Sequence, residues 1–123
     1  MVRIYLAVVG TAYLVLGIWC SIAPEQTSKS VGFDLRPGSG QSEYLVVYGG
    51  LEVAIGLFLI WPMFGASDPS APLRFCLILH GCLVIFRTGS FFLFSGIHTT
   101  TYVLAVVEWA ILLSGAAVWF RQR

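Results

Sequence analysis

The sequence predicts an all-α fold: an integral-membrane, antiparallel four-helix bundle with both termini on the cytoplasmic side. Three observations predict it. Charged residues make up 11% of the chain against 58% hydrophobic, with a mean hydropathy of +0.86. A soluble domain carries about 25% charged residues, so lipid must solvate most of this surface. Four apolar stretches recur, each near the ~20 residues that cross a hydrocarbon core. All but one of the connections are short, which favours antiparallel neighbours. At 123 residues the chain is one domain. A net charge of +1 gives no footprint for nucleic acid.

The first span runs from about Ile4 to Ile22, contains no acid and is stopped by Pro24. No small residues precede a cleavage site, since Ile18 and Trp19 lie before Cys20, so the segment reads as a retained anchor. Gly10 and Gly17 lie seven apart on one face, where a neighbouring helix can come close. An outer loop of about 23–43 follows. Within it, Pro24 suits the first turn of a short helix and Gly32 its end. Phe33 and Leu35 flank Asp34, and Arg36-Pro37-Gly38-Ser39-Gly40 reads as a turn. As the longest connection, it is the candidate lid or docking loop.

The second span covers about 44–61, carries Glu52 and ends at Pro62. After a breaker-rich loop from Gly65 to Pro72, the third span covers about 73–95 and carries His80 and Arg87. A tight connection at Gly96-Ile97-His98-Thr99 leads to the fourth span, about 100–120, with Glu108. Trp119, Phe120, Arg121 and Arg123 suit an interfacial anchor. Arg3, Arg74, Arg121 and Arg123 fall on one side, Lys29 and Arg36 on the other. The more basic side is expected in the cytoplasm, making this a multi-pass protein of a bacterial inner membrane.

Charges within apolar spans are costly and mark a site by default. At 1.5 Å per residue, Glu52, Arg87 and Glu108 each lie about 12 Å in from the outer side. The expectation is a buried triad at one depth. Gly49, Glu52 and Gly56 share a face, as do Thr101, Ala105, Glu108, Leu112 and Gly115. Small residues beside an acid indicate a helix–helix face. Tyr13 and Tyr48 are placed to offer hydroxyls. Two glutamates and one arginine leave one surplus negative charge, to be met by a proton, a cationic ligand or water. A triad that only fixes helix register is the competing reading, and polar pairs do serve as glue in membranes.

Other residues carry weaker signals. Cys76 and His80, four apart on a helix, can begin a metal site, but no third ligand stands at that depth. No metal or other cofactor is therefore expected. Cys20, Cys76 and Cys82 form no CxxC pair and read as small apolar fillers.

The chain as a whole resembles the bacterial domain-of-unknown-function family numbered 4345, small four-helix membrane proteins of broadly DoxX-like architecture. The resemblance lies in Ala23-Pro24, Gly32-Phe33-Asp34-Leu35, Pro37, Ser42-Glu43 and the Tyr48-Gly49-Gly50-Leu51-Glu52 core, running on into Gly56-Leu57-Phe58. Arg87 in the third helix and Glu108 in the fourth complete it. Members often carry a basic residue shortly after the equivalent of Glu43, where this chain has Tyr44-Leu45-Val46. The resemblance implies the fold and the triad and supplies no reaction.

Three functions follow, in order. The first is a non-enzymatic accessory or scaffold subunit of a membrane complex, partnered by the lipid bilayer and by other membrane subunits or further copies of itself. The second is a binder or small transporter of a lipophilic or cationic molecule using Glu52 and Glu108. An enzyme acting on a quinone or lipid ranks last, because the chain shows no nucleophile–base pair, metal cluster or dinucleotide motif.

Overall fold

A computed structural model describes residues 1–65 and 67–122. The described residues are helical, without strands, and four of the helical stretches are long and apolar enough to cross a membrane. These are α1 (Val2–Ile22), the composite stretch Ser39–Met63, α5 (Ser70–Leu93) and α6 (Thr99–Phe120). The composite stretch consists of α3 (Ser39–Tyr44), a π-helical segment Leu45–Leu51, α4 (Glu52–Ile60) and a 3₁₀ turn Trp61–Met63.

The expected outer loop is mostly helix. Its first part forms the short α2 (Pro24–Ser30), with Pro24 in the first turn. Gly32 then reverses the chain at φ +87°. The second helical stretch starts at Ser39, ahead of Tyr44, for a local reason. Gly38 sits at φ +78°, and its N–H donates to the Gln41 side chain at 3.1 Å. One donor of the new helix is thereby satisfied. Likewise α5 starts at Ser70, where the Asp68 carboxylate accepts from the Ser70 N–H (3.0 Å) and hydroxyl (2.7 Å). Those two bonds hold the exposed Asp68 carboxyl below its usual pKa. Pro72, in the first turn, has no N–H to lose there. Helix α5 ends at Leu93, where Phe94 turns extended and Gly96 takes φ +72°.

Helix α1 packs along α4 through glycines. A Cβ on Gly10 would stand 2.5 Å from Ile60 Cγ2 and 2.9 Å from the Gly56 carbonyl oxygen. One on Gly17 would stand 3.0 Å from both Glu52 Cβ and the Gly49 carbonyl oxygen. Numbers rise along α1 as they fall along its partner, so the two helices run in opposite directions. The pair α5 and α6 does the same, joined by Arg87 to Glu108 and, further out, Phe91 to Tyr102 with ring centroids 4.8 Å apart. The fully buried apolar side chains Leu6, Leu59 and Leu73 gather with Val2, Val9, Ile55 and Cys76 in one half of the molecule.

That apolar half is closed by the terminal end. The Arg3 guanidinium donates to the carbonyls of Pro62 (2.5 Å), Gly65 (3.0 Å) and Ser67 (3.1 Å). Arg74 lies 5.7 Å over the Trp119 ring, and Arg121 approaches the Met1 sulfur. Arg123, counted with these by sequence, lies outside the described residues. The opposite end, here the loop end, carries α2 and the α5–α6 turn. There the buried Tyr44 hydroxyl donates to Thr27 Oγ1 at 3.0 Å. The Tyr44 ring stacks on Tyr48 at 4.6 Å, with Phe33 edge-on to both.

Candidate functional site

The three charges expected to meet, Glu52, Arg87 and Glu108, lie toward the loop end, beyond the apolar core. Arg87 and Glu108 form a two-pronged ion pair, Nε to Oε2 at 2.6 Å and Nη2 to Oε1 at 2.7 Å. This parallel-fork geometry is the strongest arginine–carboxylate arrangement. Side-chain exposures of 26% for Arg87 and 12% for Glu108 set it apart from a surface pair. Both carboxylate oxygens of Glu108 are thus engaged and its charge is balanced.

Glu52 is placed differently. Its Cβ packs against Gly17, and Glu108 is within electrostatic reach. Yet Oε2 of Glu52 is buried without a hydrogen-bond partner, the one such side-chain atom among the described residues. Arg87 directs its fork to Glu108 and makes no hydrogen bond to Glu52. The net charge of the three groups, all ionised, is −1, and the surplus sits on Glu52. An unpaired buried carboxylate oxygen forfeits roughly 1–3 kcal/mol or more of hydrogen bonding.

The backbone before Glu52 is the feature that the sequence reading missed. Leu45–Leu51 is π-helical, and Glu52 is the first residue of the α-helix after it. π-helical turns are rare and concentrate at functional sites. The Gly49-Gly50 pair was the available signal, and its two members do different work. Gly49 is a packing glycine, since a Cβ there would overlap Ser21 of α1. Around Gly50 a Cβ would meet nothing within 4 Å, so its contribution is backbone freedom within the π turn. Gly56 lies against Leu14 and the Gly10 carbonyl.

Of the two tyrosines expected near the acids, Tyr13 directs its hydroxyl to His80 and Tyr48 stacks its ring with its aromatic neighbours, both within electrostatic reach of Glu52. Tyr48 belongs to the stack with Tyr44 and Phe33, within electrostatic reach of Glu52 and Arg87. The Tyr13 hydroxyl is 3.2 Å from His80 Nε2. His80 Nδ1 lies 2.9 Å from the Cys76 carbonyl, which only accepts, so Nδ1 carries the proton. In the neutral ring Nε2 is then the acceptor and Tyr13 the donor. Cys76 and His80 therefore meet each other and Tyr13, and no three metal-ligating side chains converge among the described residues.

A cavity of about 470 Å³ opens at the loop end, between Gly32 on one side and Ser90, Phe94, His98 and Thr101 on the other. The Ser90 hydroxyl donates to the Arg87 carbonyl at 2.7 Å, so the cavity opens one helical turn from the ion pair.

These elements define a class: a small all-α protein with four membrane-span-length helices and an ionic site set between them. The chain belongs to the family described as Domain of unknown function (DUF4345), whose model matches residues 1–120. No curated protein and no solved structure matches it.

Proposed function

We propose that the protein binds a lipophilic molecule whose cationic or hydrogen-bond-donating head is accepted by Glu52. The observation that carries this reading is the buried, unpartnered Oε2 beside a saturated Arg87–Glu108 pair. Triads that only fix helix register close on themselves, and here one carboxylate oxygen stays open. That ranks the binder above the accessory-subunit reading, which calls for no open acceptor. A ligand with one positive charge would also cancel the surplus of −1, removing the cost of an unpaired charge away from water.

In this reading the four long helices form an antiparallel bundle in a bacterial inner membrane. The clustering of Arg3, Arg74 and Arg121 at the terminal end supports assigning that end to the cytoplasm, with the cavity on the outer side. Exposed aliphatic and aromatic residues on every long helix, such as Ile4, Val15, Phe86, Phe92 and Leu113, meet lipid. Such a ligand would enter between Gly32 and His98 and place its head beneath Ser90. Native mass spectrometry of the protein extracted with its surrounding lipid tests the proposal. A small-molecule adduct is expected on the wild type and absent from Glu52→Gln. Equal adduct on both forms, or none on the wild type, overturns it.

A further inference from the structure

The two ends of the molecule differ in charge. The loop end carries Lys29 and Arg36 against Glu25, Asp34 and Glu43. The terminal end carries Arg3, Arg74 and Arg121 against Asp68, among the described residues. These three arginines are used differently. Arg3 is taken up by three backbone carbonyls, and Arg121 turns toward the Met1 sulfur. Arg74 lies over the Trp119 ring, 5.7 Å from its centroid. It has no carboxylate at ion-pair distance, since the one ion pair among the described residues joins Arg87 and Glu108.

A second cavity, of about 270 Å³, opens at this place. Ser70 and Arg74 line it from the start of α5, Trp119 and Gln122 from the end of α6. Sites that enclose a drug-sized ligand run to ~300–1,000 Å³, so this one suits a headgroup. Its donors are the Arg74 guanidinium and the Gln122 side-chain amide. The N–H and hydroxyl of Ser70 both go to the Asp68 carboxylate, which is thereby occupied. A guanidinium held by a ring face keeps its N–H donors for an oxyanion. Arg74 is the fifth residue of α5, about 6 Å along from its start, the level at which a spanning helix meets headgroups. Four and eleven residues on, on the same face, stand Ile78 and Ile85, 68% and 70% exposed. They make an apolar track leading away from the cavity.

We propose that this cleft between α5 and α6 binds the phosphate of an anionic phospholipid, held by Arg74 and Gln122, with an acyl chain along Ile78 and Ile85. Basic pockets between membrane helices on the cytoplasmic side take such headgroups. A zwitterionic headgroup brings its own ammonium into the field of Arg74 and Arg121, whereas a net-anionic one is neutralised there. The cleft lies at the opposite end from the cavity proposed to admit the Glu52 ligand and shares no residue with that site. It rests on the helices crossing a bilayer and not on what Glu52 binds.

The experiment places the full chain in detergent micelles with equal amounts of phosphatidylglycerol and phosphatidylcholine and counts retained lipid by native mass spectrometry. The wild type is expected to prefer phosphatidylglycerol about fivefold, the effect of one arginine near an anionic surface. Arg74→Gln should bring the ratio close to one. Arg36→Gln removes the same charge from the loop end and should keep the wild-type ratio. Gln122→Ala changes no charge and should lower the ratio about twofold, as for one weak hydrogen bond. A wild-type ratio near one overturns the proposal, as does an unchanged ratio in Arg74→Gln or an equal fall in Arg74→Gln and Arg36→Gln. The thermal midpoint of Arg74→Gln is measured beside the wild type. If it has dropped, Gln122→Ala decides, and an unchanged ratio there overturns the site. Added inorganic phosphate separates the two sources of the anion: displacement of the lipid by phosphate alone overturns the lipid assignment. Glu52→Gln should retain phosphatidylglycerol like the wild type, so this site and the Glu52 site can fail separately.

Discussion

The two helix pairs are held together by different means. Between α1 and its partner stretch, glycine stands on one side of each close contact: Gly10 meets Ile60, Leu59 and the Gly56 carbonyl, and Gly17 meets Val53, Glu52 and the Gly49 carbonyl. Side chains and carbonyls of one helix fit onto bare backbone of the other, and dispersion supplies the attraction, the small-residue packing typical of membrane helices. The pair α5 and α6 lacks such a seam around its charges and is clasped at one level by Arg87 and Glu108. A glycine seam fixes distance along its whole length. An ion pair fixes register at one point and leaves the rest free. The open carboxylate of Glu52 lies on the rigid pair, and the cavity lies on the clasped pair and its turn.

Four substitutions break or sharpen this contrast, and the largest effect belongs to the clasp. Glu108→Leu strips Arg87 of its partner and should cost about 3 kcal/mol, within the usual range for half of a buried pair. The reading is the thermal unfolding midpoint in detergent. If Glu52 takes over as the arginine's partner, the loss will be much smaller, and the division of labour between the two acids is wrong. Gly10→Val comes next, because it pushes against the Gly56 carbonyl, which cannot move alone. Overpacking of this kind costs roughly 1–3 kcal/mol, read from the same midpoint, and should loosen a cysteine crosslink placed across α1 and α4.

Tyr13→Phe removes one hydrogen bond and leaves His80 Nε2 without its donor, a loss of about 1 kcal/mol. Smallest of all is Asp68→Ala at the start of α5. The folded carboxyl titrates below its usual value, so the stability it adds is present above the unfolded pKa and lost as pH falls through the folded one. In wild type, acidification should fray the first turn of α5 in amide exchange, whereas Asp68→Ala should be frayed already at neutral pH.

Much of the fold was legible because apolar length and breaker residues are strong local signals. Pro24, Gly38 and Pro62 mark real boundaries. The glycine stripe on the second long helix was legible for the same reason, since small residues at helical spacing have few other uses. What could not be read was partner choice. Depth placed Glu52, Arg87 and Glu108 together, but only rotation about each helix decides which acid receives the guanidinium. That rotation depends on the π-helical segment, whose extra residue per turn leaves no trace in hydrophobic periodicity. Tyr13 was placed near the acids by depth, yet its hydroxyl goes to His80 because a buried imidazole acceptor lies within reach.

The π-helical segment also makes Leu45–Leu51 the place where the chain's length can change. A helix bonded from i to i+5 holds one more residue per closed ring than its α-helical neighbours. Removing a single residue there, Gly50 for instance, would let the segment relax to α-helix while Tyr44 and Glu52 keep their faces toward α2 and α1. Removing a residue from α5 or α6 would instead rotate everything beyond it by ~100°. Among the long helices, the second is the one in which a deletion can be absorbed without scrambling the face that follows.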